Sequence, residues 1–225
     1  MLKLAKVERG DFLIDLGSGD GRIPIAAARS YGATAVGVDL DPRRIRQARE
    51  NARRHGVVGK VRFVEGDLFK ADIGNATVVS LFLWPDVNRR LRPRLLDLPP
   101  GTRIVSHAHD MGDWQPDRVT AYPARAIPWE DRRLLLWVVP ARIDGTWGLR
   151  VDGREIDVSI KQRYQRFSGS AMVDGKLRAV RNGRLRGERV SFDLATGNGR
   201  VRRLSGRVTP AGEIHGDAWG AKRKG

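Results

Sequence analysis

The chain has 225 residues, no cysteine and a formal net charge of +16. That length holds one large domain or two modest ones, and the lack of cysteine excludes disulfides, thiolate metal sites and a cysteine nucleophile. No apolar run reaches the roughly 18 residues of a membrane span, and Met1 to Val7 is too short and interrupted for a secretion signal.

Asp11-Phe-Leu-Ile-Asp-Leu16 is a short apolar strand that runs into Gly17-Ser-Gly-Asp-Gly21, and an alanine-rich helix follows from Ile23 to Arg29. Such a turn lets bare backbone approach a ligand at the mouth of a parallel sheet. The helix N-terminus adds free N–H groups. The spacing is neither G-x-G-x-x-G nor a phosphate-binding loop ending in Gly-Lys-Ser/Thr. An acidic residue at the strand end, Asp15, suits a cofactor with a cationic amino-acid end. A second buried strand, Ala33 to Val38, ends in Asp39, placed to accept hydrogen bonds from a ribose diol. Asp41 as N-cap and Pro42 at the first position start a helix to about Arg54, which His55-Gly56 ends. A third strand, Val61 to Val64, leads into Glu65-Gly-Asp67-Leu68, where a carboxylate beside an apolar residue suits an adenine. Ribose, adenine and a charged amino acid together describe S-adenosylmethionine.

Ala76 to Leu83 reads as a central fourth strand and Asp86 to Leu96 as a helix that Pro93 kinks or interrupts. Thr102 to His107 is a fifth strand, and Val119 to Ile127 with Arg133 to Val139 a closing antiparallel pair. The alternation argues an α/β fold with helices on both faces of a sheet. Leu83-Trp-Pro-Asp86 stands at the end of the fourth strand. Trp84 is there a candidate to pack on the substrate or a cationic amine, or else a core or cofactor-edge tryptophan. His107, His109 and Asp110 end the fifth strand and are candidates for a base or substrate contact, or for shaping a loop; no metal set is assigned.

From Pro140 onward helical periodicity vanishes. Trp147 to Val151, Ile156 to Ile160, Ser170 to Val173, Val190 to Leu194 and Gly206 to Val208 alternate apolar and polar residues. Asp152-Gly153, Asp174-Gly175, Asn182-Gly183, Gly197-Asn-Gly199 and Ala211-Gly212 lie between them as turn signals. Residues 141–225 are therefore expected to form a small antiparallel β-barrel or β-sandwich module ending in a frayed tail, Ala221 to Gly225. This part holds 19 basic and 9 acidic residues against 23 and 17 in residues 1–140. Its basic surface makes nucleic acid a candidate partner, and the module could also join copies of the chain.

Asp15 to Gly21, Gly37-Val-Asp39 and Glu65-Gly-Asp67 resemble the cofactor motifs of class I, Rossmann-like methyltransferases. Val79 to Pro85, Leu91 to Leu96, Pro100 to Ser106, Gly112 to Asp117 and Leu135 to Pro140 resemble the small lysine N-methyltransferases related to the ATP synthase c-subunit enzyme. The resemblance covers roughly residues 1–140. It implies a Rossmann-like seven-stranded methyltransferase sheet, S-adenosylmethionine as cofactor and a protein substrate. The cofactor set it implies is Asp15, Gly17, Ser18, Gly19, Asp20, Gly21, Arg22, Asp39, Leu40, Asp67, Leu68 and Leu83. The first strand begins earlier than in many relatives, so Met1 is expected to be internal to a longer natural chain. Without a targeting signal the expected location is cytoplasmic, unless an upstream extension carries one.

Overall fold

Alternating strands and helices build the first part of the chain, as apolar strands broken by glycine turns and capped helices dictate. A computed structural model describes residues 1–121, 132–196 and 199–224. The chain divides into two units, Met1–Val139 and Pro140–Gly225.

The first unit contains β1 (Phe12–Leu16), α1 (Arg22–Tyr31), β2 (Thr34–Asp39), α2 (Pro42–Arg54), β3 (Val61–Glu65), β4 (Val78–Leu81), α3 (Pro85–Leu96), β5 (Arg103–His107), β6 (Arg118–Ala121) and β7 (Arg133–Val138). The sheet order is β3-β2-β1-β4-β5-β7-β6. β1 to β5 run parallel, and β7 is antiparallel to both β5 and β6. This is the expected seven-stranded sheet. Between β1 and β4 the order reverses, the switch point where open α/β sheets bind ligands. Ile25, Ala27 and Ala28 of α1 and Ile45, Ala48 and Ala52 of α2 share one core with Leu13, Ala35 and Phe63 of the sheet. Asp41 caps α2 by accepting the Arg43 N–H at 2.8 Å.

Two elements differ from expectation. β4 is shorter than the run from Ala76 to Leu83, so Phe82 and Leu83 belong to the loop that follows it. Pro93 lies inside α3 without ending it. Residues 122–127 of the expected sixth strand lie outside the described residues.

Residues 1–7 form turns whose Ala5 and Val7 are buried in the core of α1 and α2. The Arg103 guanidinium holds them, donating to the carbonyls of Ala5 and Lys6 at 3.0 Å and pairing with the buried Asp11.

The second unit is a meander of β8 (Gly145–Val151), β9 (Arg154–Arg163), β10 (Arg166–Val173), β11 (Lys176–Arg186), β12 (Arg189–Ala195), β13 (Val201–Val208), β14 (Ile214–Gly216) and β15 (Trp219–Arg223). It closes as an eight-stranded antiparallel barrel. Inward positions alternate with outward ones, and Trp147, Phe167, Phe192 and Trp219 fill the interior with aliphatic neighbours. The two tryptophans satisfy their indole N–H groups on the carbonyls of Ile143 and Ser205. Asp152-Gly153 and Asp174-Gly175 form turns with φ positive at both residues.

Two sequence expectations fail in the barrel. Asn182-Gly183 lies inside β11 at a register shift, not at a hairpin end. A Cβ on Gly183 would sit 2.2 Å from the Phe167 carbonyl, so the pair lets a long strand bend around the barrel. The tail is also not frayed through Arg223: β15 pairs with β8 from Trp219 opposite Val151 to Arg223 opposite Trp147. Closure removes the edge that β8 would otherwise expose.

Burial pushes the Asp11 carboxyl up, but bonds from Arg103, Glu8 and Thr77 win and hold it below its ordinary value. Arg103→Met should therefore destabilise the first unit by about 3 kcal/mol at neutral pH, read by urea unfolding. A depressed folded pKa means the wild-type advantage is full at neutral pH and shrinks as pH falls below about 4. An equal difference at all pH values would remove the ion pair as the cause.

Candidate active site at the strand ends

Five parallel strands end on one edge of the sheet, and the singled-out sequence blocks lie along it in spatial order. Asp67 follows β3, Asp39 ends β2, the glycine turn follows β1, Phe82 to Trp84 follow β4, and His107 to Asp110 close β5. At about 4.8 Å per strand these ends span ~20 Å.

The glycine turn is tied to the end of β2. Gly17 and Ser18 donate to the Val38 carbonyl at 2.8 and 3.0 Å, and Gly19 donates to Asp39 Oδ2 at 2.8 Å. Asp39 Oδ1 accepts the Asp41 N–H at 3.0 Å. Each carboxylate oxygen keeps a further lone pair, so Asp39 shapes the turn and can still accept hydroxyl hydrogens. Close approach of the turn requires Gly37, because a Cβ there would stand 2.7 Å from Ser18 Oγ. Gly19, at φ +52, faces open space.

Asp15 is buried and accepts the Ser80 hydroxyl at 2.6 Å. Burial, joined by the charges of Asp39 and Asp20, raises its pKa to about 7 against the lowering effect of the Ser80 bond. Ser18 Oγ is buried without a hydrogen-bond partner. Orphaned buried hydroxyls are rare, so a ligand group is the expected partner. Asp20 and Arg22 pair with each other at 2.8 Å on the surface, leaving the turn its backbone; the Asp20 carbonyl accepts Asn51 Nδ2. Leu40 is 72% exposed beside Asp39, an apolar side chain left open at the edge. Asp67 Oδ1 accepts the Phe69 N–H at 2.9 Å, and Leu68 is half-buried next to it. Gly66 donates to the Asp39 carbonyl, which draws the ends of β2 and β3 together. Leu83 covers Gly17 from the other side.

This cradle fits a molecule with a cation near Asp15, a diol near Asp39 and a flat base between Leu40 and Asp67. The fit rests on the orphaned Ser18 hydroxyl and the open floor at Gly19.

Beyond β4 the edge becomes aromatic. Phe82 and Trp84 are 59% and 72% exposed. Trp84 stacks on His109 with centroids 5.6 Å apart, and Phe82 meets the buried His107 edge-on at 4.3 Å. Trp84 is thus not a core residue. Asp110 Oδ1 accepts the Gly112 N–H at 2.9 Å and so shapes its own loop. His109 N–H donates to the His107 carbonyl at 2.7 Å across Ala108, which is forced to φ +63. A non-glycine residue in that region is strained and must be held.

Three residues not singled out in the sequence support this edge. Ser80 lies directly opposite Asp15 in the β1–β4 register; a hydroxyl inside an otherwise apolar run was the available signal. Phe82 is left outside β4 by the strand's early end. Asn88 of α3 is fully buried and donates to Ser106 Oγ and to the carbonyls of His109 and Asp110 at 3.2 to 3.4 Å. Only the packing of α3 against the loop after β5 reveals its part. Among the described residues no group of three His, Asp or Glu side chains gathers as a metal site.

Comparison with known proteins locates the same region. Residues 15–118 match the profile of the ANTKMT methyltransferase domain. A protein-lysine N-methyltransferase of Saccharolobus islandicus is 46% identical over 121 residues, 53% of this chain and 75% of its own length. The human lysine N-methyltransferase named for the ATP synthase c-subunit is 37% identical over 121 residues, and the match spans about half of it, 51%. A crystal structure described as an RNA methyltransferase from Salinibacter ruber, in complex with S-adenosyl-L-homocysteine, is 49% identical. It covers 63% of this chain and 89% of its own, with a TM-score of 0.58.

Asp15 carries the pH signature of the cradle. Its native pKa of about 7 lies above the unfolded value near 4. Between those values the native state holds a proton that the unfolded state has lost, so stability falls as pH rises through that window and is level above it. Asp15→Asn should raise stability at pH 8, by up to about 4 kcal/mol, and flatten the slope between pH 4 and 7 in chemical denaturation. An unaltered slope would show that Asp15 is ionised at no cost.

Proposed function

The chain belongs to the ANTKMT methyltransferase family of S-adenosylmethionine-dependent enzymes, and we propose that its acceptor is the side-chain amine of a protein lysine. The observation that carries this reading is the 46% identity across three quarters of the archaeal protein-lysine enzyme.

S-adenosylmethionine supplies a methyl group on a positively charged sulfur. On this reading Asp15 faces the cationic amino-acid end, and a cation there favours its ionised form. Ser18 Oγ, the buried hydroxyl that has no partner of its own, binds the carboxylate end. Asp39 accepts the ribose hydroxyls, and Leu40, Asp67 and Leu68 hold the adenine. The chain then has one main task at the acceptor, to hold a neutral amine in line with the methyl group at about 3 Å and keep water away. Trp84 presents an aromatic face to the lysine side chain, which carries a cation before deprotonation. His109, stacked beneath it, accepts the ammonium proton, and Asn88 with Ser106 holds the His109 backbone in place. His107, buried under Phe82, supports the wall. Asp110 serves the loop.

A second reading, methylation of RNA, is favoured by one observation, the 49% identity to the protein described as an RNA methyltransferase. Radiolabelling of a whole lysate by the purified chain, followed by protease or ribonuclease digestion, separates the two. Protease-sensitive label on lysine is expected; ribonuclease-sensitive label selects the second reading.

Two variants test the site itself. Asp39→Ala should weaken S-adenosylhomocysteine at least tenfold by calorimetry, about 1.4 kcal/mol, with the fold retained by circular dichroism. Asp39 also holds the turn, so a 2′,3′-dideoxyribose analogue completes a cycle. If Asp39 binds the diol, that analogue loses little on the substitution; an equal loss for both ligands would remove the ribose contact. Trp84→Ala should leave S-adenosylhomocysteine affinity within about twofold while lowering methyl transfer at least tenfold. Unchanged transfer would remove Trp84 from the acceptor side.

A further inference from the structure

The barrel's outer face carries an array of opposed arginines. Arg166 of β10 lies directly opposite Arg163 of β9 and Arg184 of β11. Arg189 of β12 lies directly opposite Arg186 of β11 and Arg207 of β13. All six are exposed. Directly opposed side chains stand about 5 Å apart, and like charges at that spacing destabilise a sheet. Four such contacts crowd into five adjacent strands. Elsewhere the same barrel pairs opposite charges: Arg154 with Asp174, Arg202 with Asp152, Lys224 with Asp157. Within the array Glu188 pairs with Arg207 at 3.0 Å, while Arg166, Arg186 and Arg189 have no acidic partner among the described residues.

We propose that this face binds nucleic acid through its phosphate backbone. Neighbouring guanidinium groups are set at steps of about 5 Å across strands and about 7 Å along them. That is a lattice for a chain of regularly repeated anions. Arginine's planar fork binds phosphate oxygens in pairs. The outward positions between the arginines are Ser168, Ser191 and Ser205. Among the described residues the exposed apolar side chains of the barrel stand apart from the array: Met172 and Leu177 face each other at the far end of the β10–β11 hairpin, and Val201 opens β13 six residues before Arg207. The nearest aromatic, Tyr164, is half-buried in the β9–β10 turn. The contact is therefore to phosphates and not to stacked bases, and it is indifferent to sequence.

The inference does not rest on the acceptor proposed above: a chain that methylates lysine and ignores nucleic acid overturns this inference alone. The test is fluorescence anisotropy of the full chain with a labelled 20-nucleotide single-stranded RNA of mixed sequence between 50 and 300 mM salt. Contact with about five phosphates gives a log–log salt slope of roughly −3 to −4. The triple variant R166Q/R186Q/R189Q should bind at least tenfold more weakly at 100 mM salt, with a slope shallower by about 2. Its melting temperature should equal or exceed that of the wild type, because opposed like charges are removed. The charge-matched variant R154Q/R202Q/K224Q should stay within about threefold. Equal losses in both triples would reduce the effect to net charge and overturn the site. Absent RNA binding overturns it. So does retention on vesicles with 30% phosphatidylserine by a chain that fails to bind RNA, or displacement of RNA by polyglutamate at equal charge concentration.

Discussion

The missing side chain at position 37 is the constraint on which the glycine turn depends. A Cβ on Gly37 would stand 2.7 Å from both Ser18 and Phe63. Without it, the backbone after β1 crosses over the end of β2 and spends three N–H groups on Val38 and Asp39. The turn is then not a flexible loop that closes on a ligand. It is pinned to the neighbouring strand before any ligand arrives, which lowers the ordering cost of binding. Asp39 is a strut of that turn and keeps acceptor capacity of its own, so under the proposed reading shape and recognition meet at one carboxylate.

The aromatic end of the edge is organised by different physics. β4 ends at Leu81, and the next residues point aromatic rings along the edge. The loop after β5 is held against them by buried polar groups: Asn88 donates to two of its carbonyls, and Ser106 donates to the His109 carbonyl at 2.7 Å. Ala108 at positive φ costs of order 1–3 kcal/mol and persists because these bonds over-determine it. A buried acid at Asp15 and a strained residue at Ala108 thus flank the same edge. Both lower stability, and both belong where a ligand or substrate makes up the difference.

The barrel solves its own folding problem without help from chemistry. Closure by β15 leaves no open edge, and four large aromatics with aliphatic neighbours fill its core. What distinguishes it lies outside. Several of its charged side chains pair with opposite charges across strands, whereas Arg166 and Arg189 each stand directly opposite two other arginines.

Much of this was legible along the chain. The glycine turn, the acidic ends of β2 and β3, the capped α2 and the Asp-Gly hairpins are local signals, written in residues next to one another, and backbone conformation obeys such neighbours. Other features were not legible. Asn182-Gly183 carries the same local chemistry as a hairpin turn and is instead a bend within β11, because the curvature of a closed barrel overrides the dipeptide. Ala221 to Arg223 looks like a loose basic tail, and its strand exists only because β8, some seventy residues earlier, offers an unpaired edge. Ser80 beneath Asp15, Asn88 behind His109 and Arg166 between two other arginines are ordinary polar residues in sequence. Their roles come from partners on other strands and helices, and register between distant segments is set by packing. The chain by itself determined the glycine turn and the type of fold. The tertiary structure alone decided which polar groups are buried, which rings face outward and which charges stand opposite their own kind, because those are relations between residues far apart in sequence.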